Sequence, residues 1–209
     1  MRQFFKIQWF HIKTNKYIIL YSLIFIYLVI VPLLLSLNIE TETGIWLCCD
    51  YLQKLLLIPC LFLLIQLFKP YIEIEYKDMI HSINKSFKYL YVIFDYLFIQ
   101  ILLFPLYGIL INKNASIIEF LICFVFQQFI FMTITYIISL ICSSSIVTLG
   151  IIVIYILLFS FPLSDITLGN LMLKSPYLEQ TYIQLGYFIC FVSIILGYII
   201  ENYIYKYFL

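Results

Sequence analysis

Charged side chains are scarce in this chain of 209 residues. Lys, Arg, Asp and Glu together make up 11% of it, whereas an ordinary soluble domain contains about 25%. Hydrophobic residues make up 65%, and the mean hydropathy is +1.07. A water-soluble core of this size cannot bury so much apolar surface, so the composition predicts that lipid surrounds the chain. The formal net charge of +1 and the lack of a basic cluster predict no nucleic-acid partner.

The chain also lacks the motifs of common nucleotide-binding and hydrolase sites. No GxxxxGK[ST], HExxH or GxSxG segment occurs in it. The two histidines, His11 and His81, lie outside every long apolar stretch, so no Ser–His or Cys–His pair is available within a bilayer. The six cysteines show neither CxxC nor zinc-ligand spacing, so no metal site is predicted. These absences predict that the chain is not an enzyme and holds no cofactor of its own.

Long apolar stretches predict an all-α polytopic membrane protein, with six transmembrane helices in a single domain of residues 1–209. About 20 apolar residues are needed to cross the hydrocarbon of a bilayer. The predicted spans are residues 17–36, 52–68, 89–111, 117–141, 146–163 and 182–200. Residues 38–50 are expected to form a polar loop, and residues 201–209 a tail. Residues 1–16 combine basic and aromatic side chains and predict an interfacial helix, with a simple basic leader as the alternative.

The distribution of basic residues predicts the orientation of the chain. Six spans place both termini on one side of the membrane, and that side carries nine of the twelve Lys and Arg residues. Basic residues are enriched in cytoplasmic loops. We therefore expect a multi-pass plasma-membrane protein with both termini in the cytoplasm.

Residues 72–88 form the one substantial polar interruption between the second and third spans. On a helical wheel their apolar side chains share one stripe, and charged and polar side chains cover most of the rest. The stripe consists of Ile72, Tyr76, Met79, Ile80, Ile83 and Phe87. A helix of this kind either lies along a membrane surface or docks onto another protein.

Three polar residues inside the predicted spans are candidates for a substrate path or for helix packing. Asp95 lies about two turns into the third span, where it either reaches water near the headgroups or serves a function at depth. Gln127 and Gln128 lie near the middle of the fourth span, and we expect one of them to form an interhelical hydrogen bond. A role for this pair in lining a substrate path is the alternative.

Small residues recur on one face of the sixth span. Gly186, Cys190, Ser193 and Gly197 follow one another at steps of four, three and four residues. Such a face lets two helix backbones approach closely, and it predicts packing against a helix of the same chain or of another.

The order of these features resembles the membrane subunit of a type-2 (ABC-2) ATP-binding-cassette exporter. A basic helix precedes six spans, the acid-led segment EIEYKDMIHSINKSFKYLYVIFDYL follows the second, and a partly apolar loop containing LKSPYLE joins the last two. The resemblance implies that residues 72–88 are a coupling helix that docks onto a separate cytoplasmic ATPase, which binds ATP and Mg²⁺. The docking residues that it implies are Glu73, Glu75, Tyr76, Asp78, Met79 and Ile80. The glycine that often follows the acid in this family is absent, since no glycine lies between Gly44 and Gly108.

The resemblance also implies a second permease copy or a sister permease, because one chain of six spans makes half of such an exporter. Its substrate would be a hydrophobic or amphiphilic peptide of the bacteriocin type, or a lipid-like molecule, with self-immunity as one role. Two other functions fit the same residues. One is a non-transport immunity or scaffold protein that binds a toxin or partner through residues 72–88. The other is an ion-coupled carrier or intramembrane enzyme centred on Asp95, although the spans show few charges or helix breaks.

Overall fold

Six long helices make up the described part of the chain. The computed structural model describes Trp9, Lys13 and residues 16–72, 88–160 and 180–207, and it contains no strand within them. The helices are α1 (Lys16–Ser36), α2 (42–72), α3 (Lys88–Lys113), α4 (Ile118–Cys142), α5 (Ser145–Ser160) and α6 (Gln180–Tyr207). The all-α fold class is confirmed for these residues. Nearly all of the predicted interfacial helix 1–16 and of segment 72–88 lies outside them.

Four of the helical stretches are long and apolar enough to cross a membrane. They are Lys16–Ser36, Glu42–Leu67, Tyr89–Lys113 and Ala115–Cys142, where the last includes a short 3₁₀ turn before α4. The chain is therefore a membrane protein with an all-helical bundle. Helices α5 and α6 contribute shorter apolar stretches, Ser145–Leu158 and Phe188–Tyr203. The fifth and sixth spans thus stay predictions.

Helix α2 begins ten residues before the predicted second span, so the expected polar loop over residues 38–50 is wrong from Glu42 onward. The Thr41 hydroxyl caps the helix by accepting a hydrogen bond from the Gly44 N–H at 3.1 Å. Within the first turns, Ile45, Cys48 and Cys49 are buried in the bundle. Capping and tertiary packing therefore outweigh the polar composition of this stretch.

The connection between α1 and α2 is tied to the end of α3. Lys113 Nζ donates to the Leu35 carbonyl oxygen at 2.7 Å, and Asn114 Nδ2 donates to the Ile39 carbonyl oxygen at 2.9 Å. The last carbonyl groups of a helix have no partner within it, and a lysine there satisfies one of them. These bonds hold α1, α2 and α3 together at one end of the bundle.

The helices contain more interruptions than the sequence predicts. One π-helical turn, Ile26–Ile30, lies within α1, and a second, Leu52–Leu56, lies within α2. The two π-helical turns contact each other. Helix α3 contains Pro105, which cannot donate a backbone hydrogen bond. Such interruptions occur frequently at functional sites.

Helix α4 lies at the centre of the bundle. It packs against α2, α3, α5 and α6. Large side chains along its length are fully buried, among them Phe120, Phe124, Phe131 and Tyr136. Helix α1, in contrast, exposes most of its apolar side chains, as expected of a helix that faces lipid.

Candidate functional site at the polar centre of the bundle

Two adjacent glutamines on α4 bond to two different helices. Gln127 Nε2 donates to Gln53 Oε1 on α2 at 3.0 Å, and Gln128 Oε1 accepts from Gln100 Nε2 on α3 at 2.6 Å. Consecutive residues of a helix point about 100° apart, so one dipeptide can serve two interfaces. Gln53, Gln127 and Gln128 are between 2% and 5% exposed. The sequence predicts an interhelical bond for one member of the pair, and in the structure both members form one.

A tyrosine extends this arrangement along α3. The Tyr107 hydroxyl donates to Gln100 Oε1 at 3.3 Å, so Tyr107, Gln100 and Gln128 are connected. We refer to Gln53, Gln100, Tyr107, Gln127 and Gln128 as the polar cluster. Its members are neutral amides and one phenol, and they lie among apolar side chains of α2, α3 and α4. The polar cluster can therefore offer hydrogen bonds without placing a formal charge in the bundle.

The helix interruptions lie beside the polar cluster. Gln53 belongs to the π-helical turn of α2. Tyr27, in the π-helical turn of α1, donates its hydroxyl hydrogen to the Leu102 carbonyl oxygen on α3. Leu102 is two residues from Gln100, which is a rise of about 3 Å along the helix. Pro105 removes the N–H that would normally bond to the Ile101 carbonyl, the neighbour of Leu102. Irregular backbone and polar side chains thus occur at the same part of the bundle.

Asp95 is buried on α3. It is 6% exposed within the described bundle, and both of the roles that the sequence leaves open for it stay predictions. The next residue, Tyr96, donates to the Val125 carbonyl oxygen on α4 at 2.6 Å and packs edge-on against Phe129. These contacts hold α3 against α4 beside Asp95. A buried acid in a membrane bundle is a functional candidate, since its burial is costly.

The small-residue face of α6 packs within the same chain. A Cβ atom at Gly186 would lie 2.6 Å from the Phe126 ring of α4, and one at Gly197 would lie 2.7 Å from the Tyr89 ring of α3. Cys190 Sγ is 4.0 Å from the Phe126 carbonyl oxygen. Ser193, on the same helix, is half-buried. Close approach at Gly186 and Gly197 therefore serves intramolecular packing with α4 and α3.

Sequence reasoning missed Glu201. It was expected in the tail of residues 201–209, but α6 continues to Tyr207 and Glu201 is only 4% exposed. Glu201 Oε2 accepts from the Tyr89 backbone N–H at 3.0 Å, and Glu201 Oε1 accepts from the Tyr136 hydroxyl at 3.3 Å. One pattern in the sequence could have indicated its burial. Glu201 follows Gly197 by four residues, so it continues the small-residue face toward α3 and α4.

The implied ATPase-docking residues lie outside the described part of the chain. They are Glu73, Glu75, Tyr76, Asp78, Met79 and Ile80. Among the described residues, no group of three or more His, Cys, Asp or Glu side chains could hold a metal ion. The described site is therefore one of neutral hydrogen-bonding groups and two buried acids.

Comparisons of this chain with protein-family models, with curated proteins and with solved structures found no match.

Proposed function

We propose that the chain is the membrane-spanning permease subunit of an ABC exporter, and that it moves a hydrophobic or amphiphilic substrate, such as a peptide or a lipid-like molecule. The observation that carries this proposal is the polar cluster, buried between α2, α3 and α4 of an otherwise apolar bundle. Neutral amides can exchange hydrogen bonds with a peptide or a lipid headgroup, and they do so without the desolvation cost of a buried charge.

The driving force is proposed to come from a separate ATPase subunit, because the chain contains no P-loop. Segment 72–88 leads directly into α3, which begins at Lys88 and carries Gln100 and Tyr107 of the polar cluster. A displacement of this segment by an ATPase would reach the polar cluster along one continuous helix. In this proposal ATP and Mg²⁺ bind to the partner, and this chain is not itself an enzyme.

The assembled exporter would contain two permeases and the ATPase in the plasma membrane. One chain supplies six spans with both termini in the cytoplasm, and the other half is a second copy or a sister permease. This arrangement follows from the ABC-2 resemblance and from the distribution of basic residues.

Purification of the tagged full chain from its native membranes tests the proposal. We expect a P-loop ATPase to co-purify and to hydrolyse ATP faster in nanodiscs with the chain than without it. Ile80→Asp should lower retention of the ATPase at least about tenfold, since an aspartate buried in an apolar contact costs well over about 1.4 kcal/mol.

The matched control is Asn84→Asp, which adds the same charge on the polar side of the segment. Unchanged retention in Ile80→Asp would mean that the segment lies on lipid instead. If no P-loop ATPase accompanies the wild-type chain, the proposed function is wrong.

One observation favours a second function, an ion-coupled carrier. Such carriers combine buried acids with discontinuous helices, and this bundle combines the buried Asp95 with π-helical turns in α1 and α2. Asp95→Asn separates the two functions in reconstituted vesicles. An ATP-driven exporter should keep ATP-dependent transport after this change, whereas an ion-coupled carrier should lose transport driven by an ion gradient.

A further inference from the structure

We infer that Glu201 is a positioning residue that fastens the first turn of α3 to α4 and α6, so that the three helices respond as one unit when α3 is displaced. The inference rests on the proposed function, because that function is what displaces α3. The contact itself is a property of the described bundle. Each of its members belongs to a different helix: Tyr89 to α3, Tyr136 to α4 and Glu201 to α6.

The Glu201 carboxylate uses both of its oxygens to join these helices. Oε2 accepts from the Tyr89 backbone N–H at 3.0 Å, and Oε1 accepts from the Tyr136 hydroxyl at 3.3 Å. Tyr89 is the second residue that the structure describes in α3. Its backbone N–H bonds to a carboxylate from another helix. Glu201 therefore supplies from α6 an acceptor for a backbone N–H of α3.

The Tyr89 side chain adds two further contacts. Thr133 uses its own hydroxyl hydrogen for the Phe129 carbonyl oxygen at 3.1 Å, so Tyr89 is the donor in its 2.7 Å hydrogen bond with Thr133. The Tyr89 ring packs on Tyr136, with the ring centroids 5.7 Å apart. The same ring covers Gly197, where a Cβ would lie within 2.7 Å of it. Backbone, hydroxyl and ring of one residue are thus all engaged by α4 and α6.

A buried carboxylate is a costly acceptor for a backbone N–H in a membrane protein. Water or an exposed side chain can accept from an N–H that only needs a partner. A buried acid from a distant part of the sequence does something more, because it makes the position of α3 depend on the position of α6. This linkage is the property that a transport cycle driven through α3 requires.

Hydrogen–deuterium exchange at the Tyr89 amide tests the contact in the full chain in nanodiscs, without any partner. Glu201→Ala should raise the exchange rate of this amide at least about tenfold, because the N–H loses its acceptor. Glu201→Gln should keep most of the protection, since its amide oxygen still accepts. Glu119→Ala, at an exposed acid at the other end of α4, is the matched control and should have no effect.

A second variant disturbs the same contact without changing Glu201. Gly197→Ala places a methyl group against the Tyr89 ring, whereas Gly150→Ala places one in open space. Tyr89 exchange should rise in Gly197→Ala and stay at the wild-type rate in Gly150→Ala. Wild-type protection of Tyr89 in folded Glu201→Ala would overturn the inference.

The passing of a displacement from α3 to α6 is tested in the complex with the ATPase. Addition of ATP should change amide exchange along α6 in the wild-type complex. Glu201→Ala should retain the ATPase but lose this change, and Glu201→Gln should restore most of it. A response of wild-type size in Glu201→Ala overturns the transmission. Failure of the wild-type chain to bind any ATPase overturns the proposed function and the transmission with it, while the Tyr89 exchange rates still decide whether the contact exists.

Discussion

The polar cluster places neutral amides where the surrounding side chains are apolar. Interhelical hydrogen bonds within membranes contribute about 0.6 kcal/mol on average and up to about 1.7 kcal/mol. Removal of one partner costs more than the bond contributes, since it leaves the other amide buried without that bond. Removal of both partners of a pair avoids this cost. The bond between Gln53 and Gln127 can therefore be measured by comparing single and double substitutions.

We expect Gln53→Leu and Gln127→Leu each to lower the free energy of unfolding by about 1–2 kcal/mol. The double variant should lose less than the sum, by about 1 kcal/mol, because the two losses share one bond. Denaturant unfolding in detergent, followed by tryptophan fluorescence, measures these values. Gln53→Leu combined with Asn112→Leu, at an exposed position, is the additive control. Additivity in the Gln53 and Gln127 pair would contradict the bond.

Two glycines in similar helical conformations differ in what surrounds them. A methyl group at Gly186 would meet the Phe126 ring at 2.6 Å, whereas one at Gly108 would meet nothing within 4 Å. Gly186→Ala should therefore destabilise the bundle by about 1–3 kcal/mol. Gly108→Ala should be neutral or slightly stabilising, because alanine favours helix over glycine. Thermal unfolding of the two variants in one detergent is the measurement, and equal midpoints would contradict the packing of α6 on α4.

At the scale of helices, hydropathy predicts the centres well and some ends poorly. The predicted spans 17–36 and 89–111 end within two residues of the ends of α1 and α3, because a continuous apolar stretch is stable only in lipid. The start of α2 depends on the Thr41 cap and on burial of Ile45 against other helices, and neither is visible in composition. The two π-helical turns contact each other, and composition does not indicate them either.

The start of α2 gives a prediction about capping. Thr41→Ala should lower the free energy of unfolding by about 1 kcal/mol, since the Gly44 N–H loses its acceptor. Amide exchange at Gly44 should rise with it. Thr41→Ser keeps the hydroxyl and should behave like the wild-type chain. If alanine and serine give the same stability and exchange, the cap does not hold the start of this helix.

The candidate site was partly predictable from the sequence. The positions of Gln127 and Gln128 indicate a buried hydrogen bond, but their partners on α2 and α3 follow only from the way in which the helices pack. Glu201 was missed because an acid next to Asn202 at the end of a span resembles a solvated tail. Its burial depends on Tyr89 and Tyr136, which are distant in sequence.

For the molecule as a whole, the cysteines offer a natural test of orientation. All six lie in the described residues, and Cys142 alone is exposed, while the others are buried or half-buried. Cys142 precedes the short turn between α4 and α5, which the predicted topology places in the cytoplasm. The wild-type chain thus carries one accessible thiol on a side that the sequence predicts.

A membrane-impermeant maleimide should label Cys142 in inverted vesicles but not in intact cells. Cys142→Ser should abolish the label. In that background, Ser116→Cys, at an exposed position between α3 and α4, should be labelled from outside intact cells. The reverse labelling pattern would mean that the chain is inserted in the opposite orientation, with segment 72–88 outside the cell. No cytoplasmic ATPase could reach the segment there.

Gln127 and Gln128 also limit how α4 can move. A helix joined to its surroundings by one polar bond can turn about its own axis by pivoting on that bond. Two bonds about 100° apart, one to α2 and one to α3, prevent this, because a turn in either direction strains both. Rotation of α4 would therefore be an all-or-none event in which both amide pairs separate together, and the central helix would have discrete angular positions rather than a continuous range.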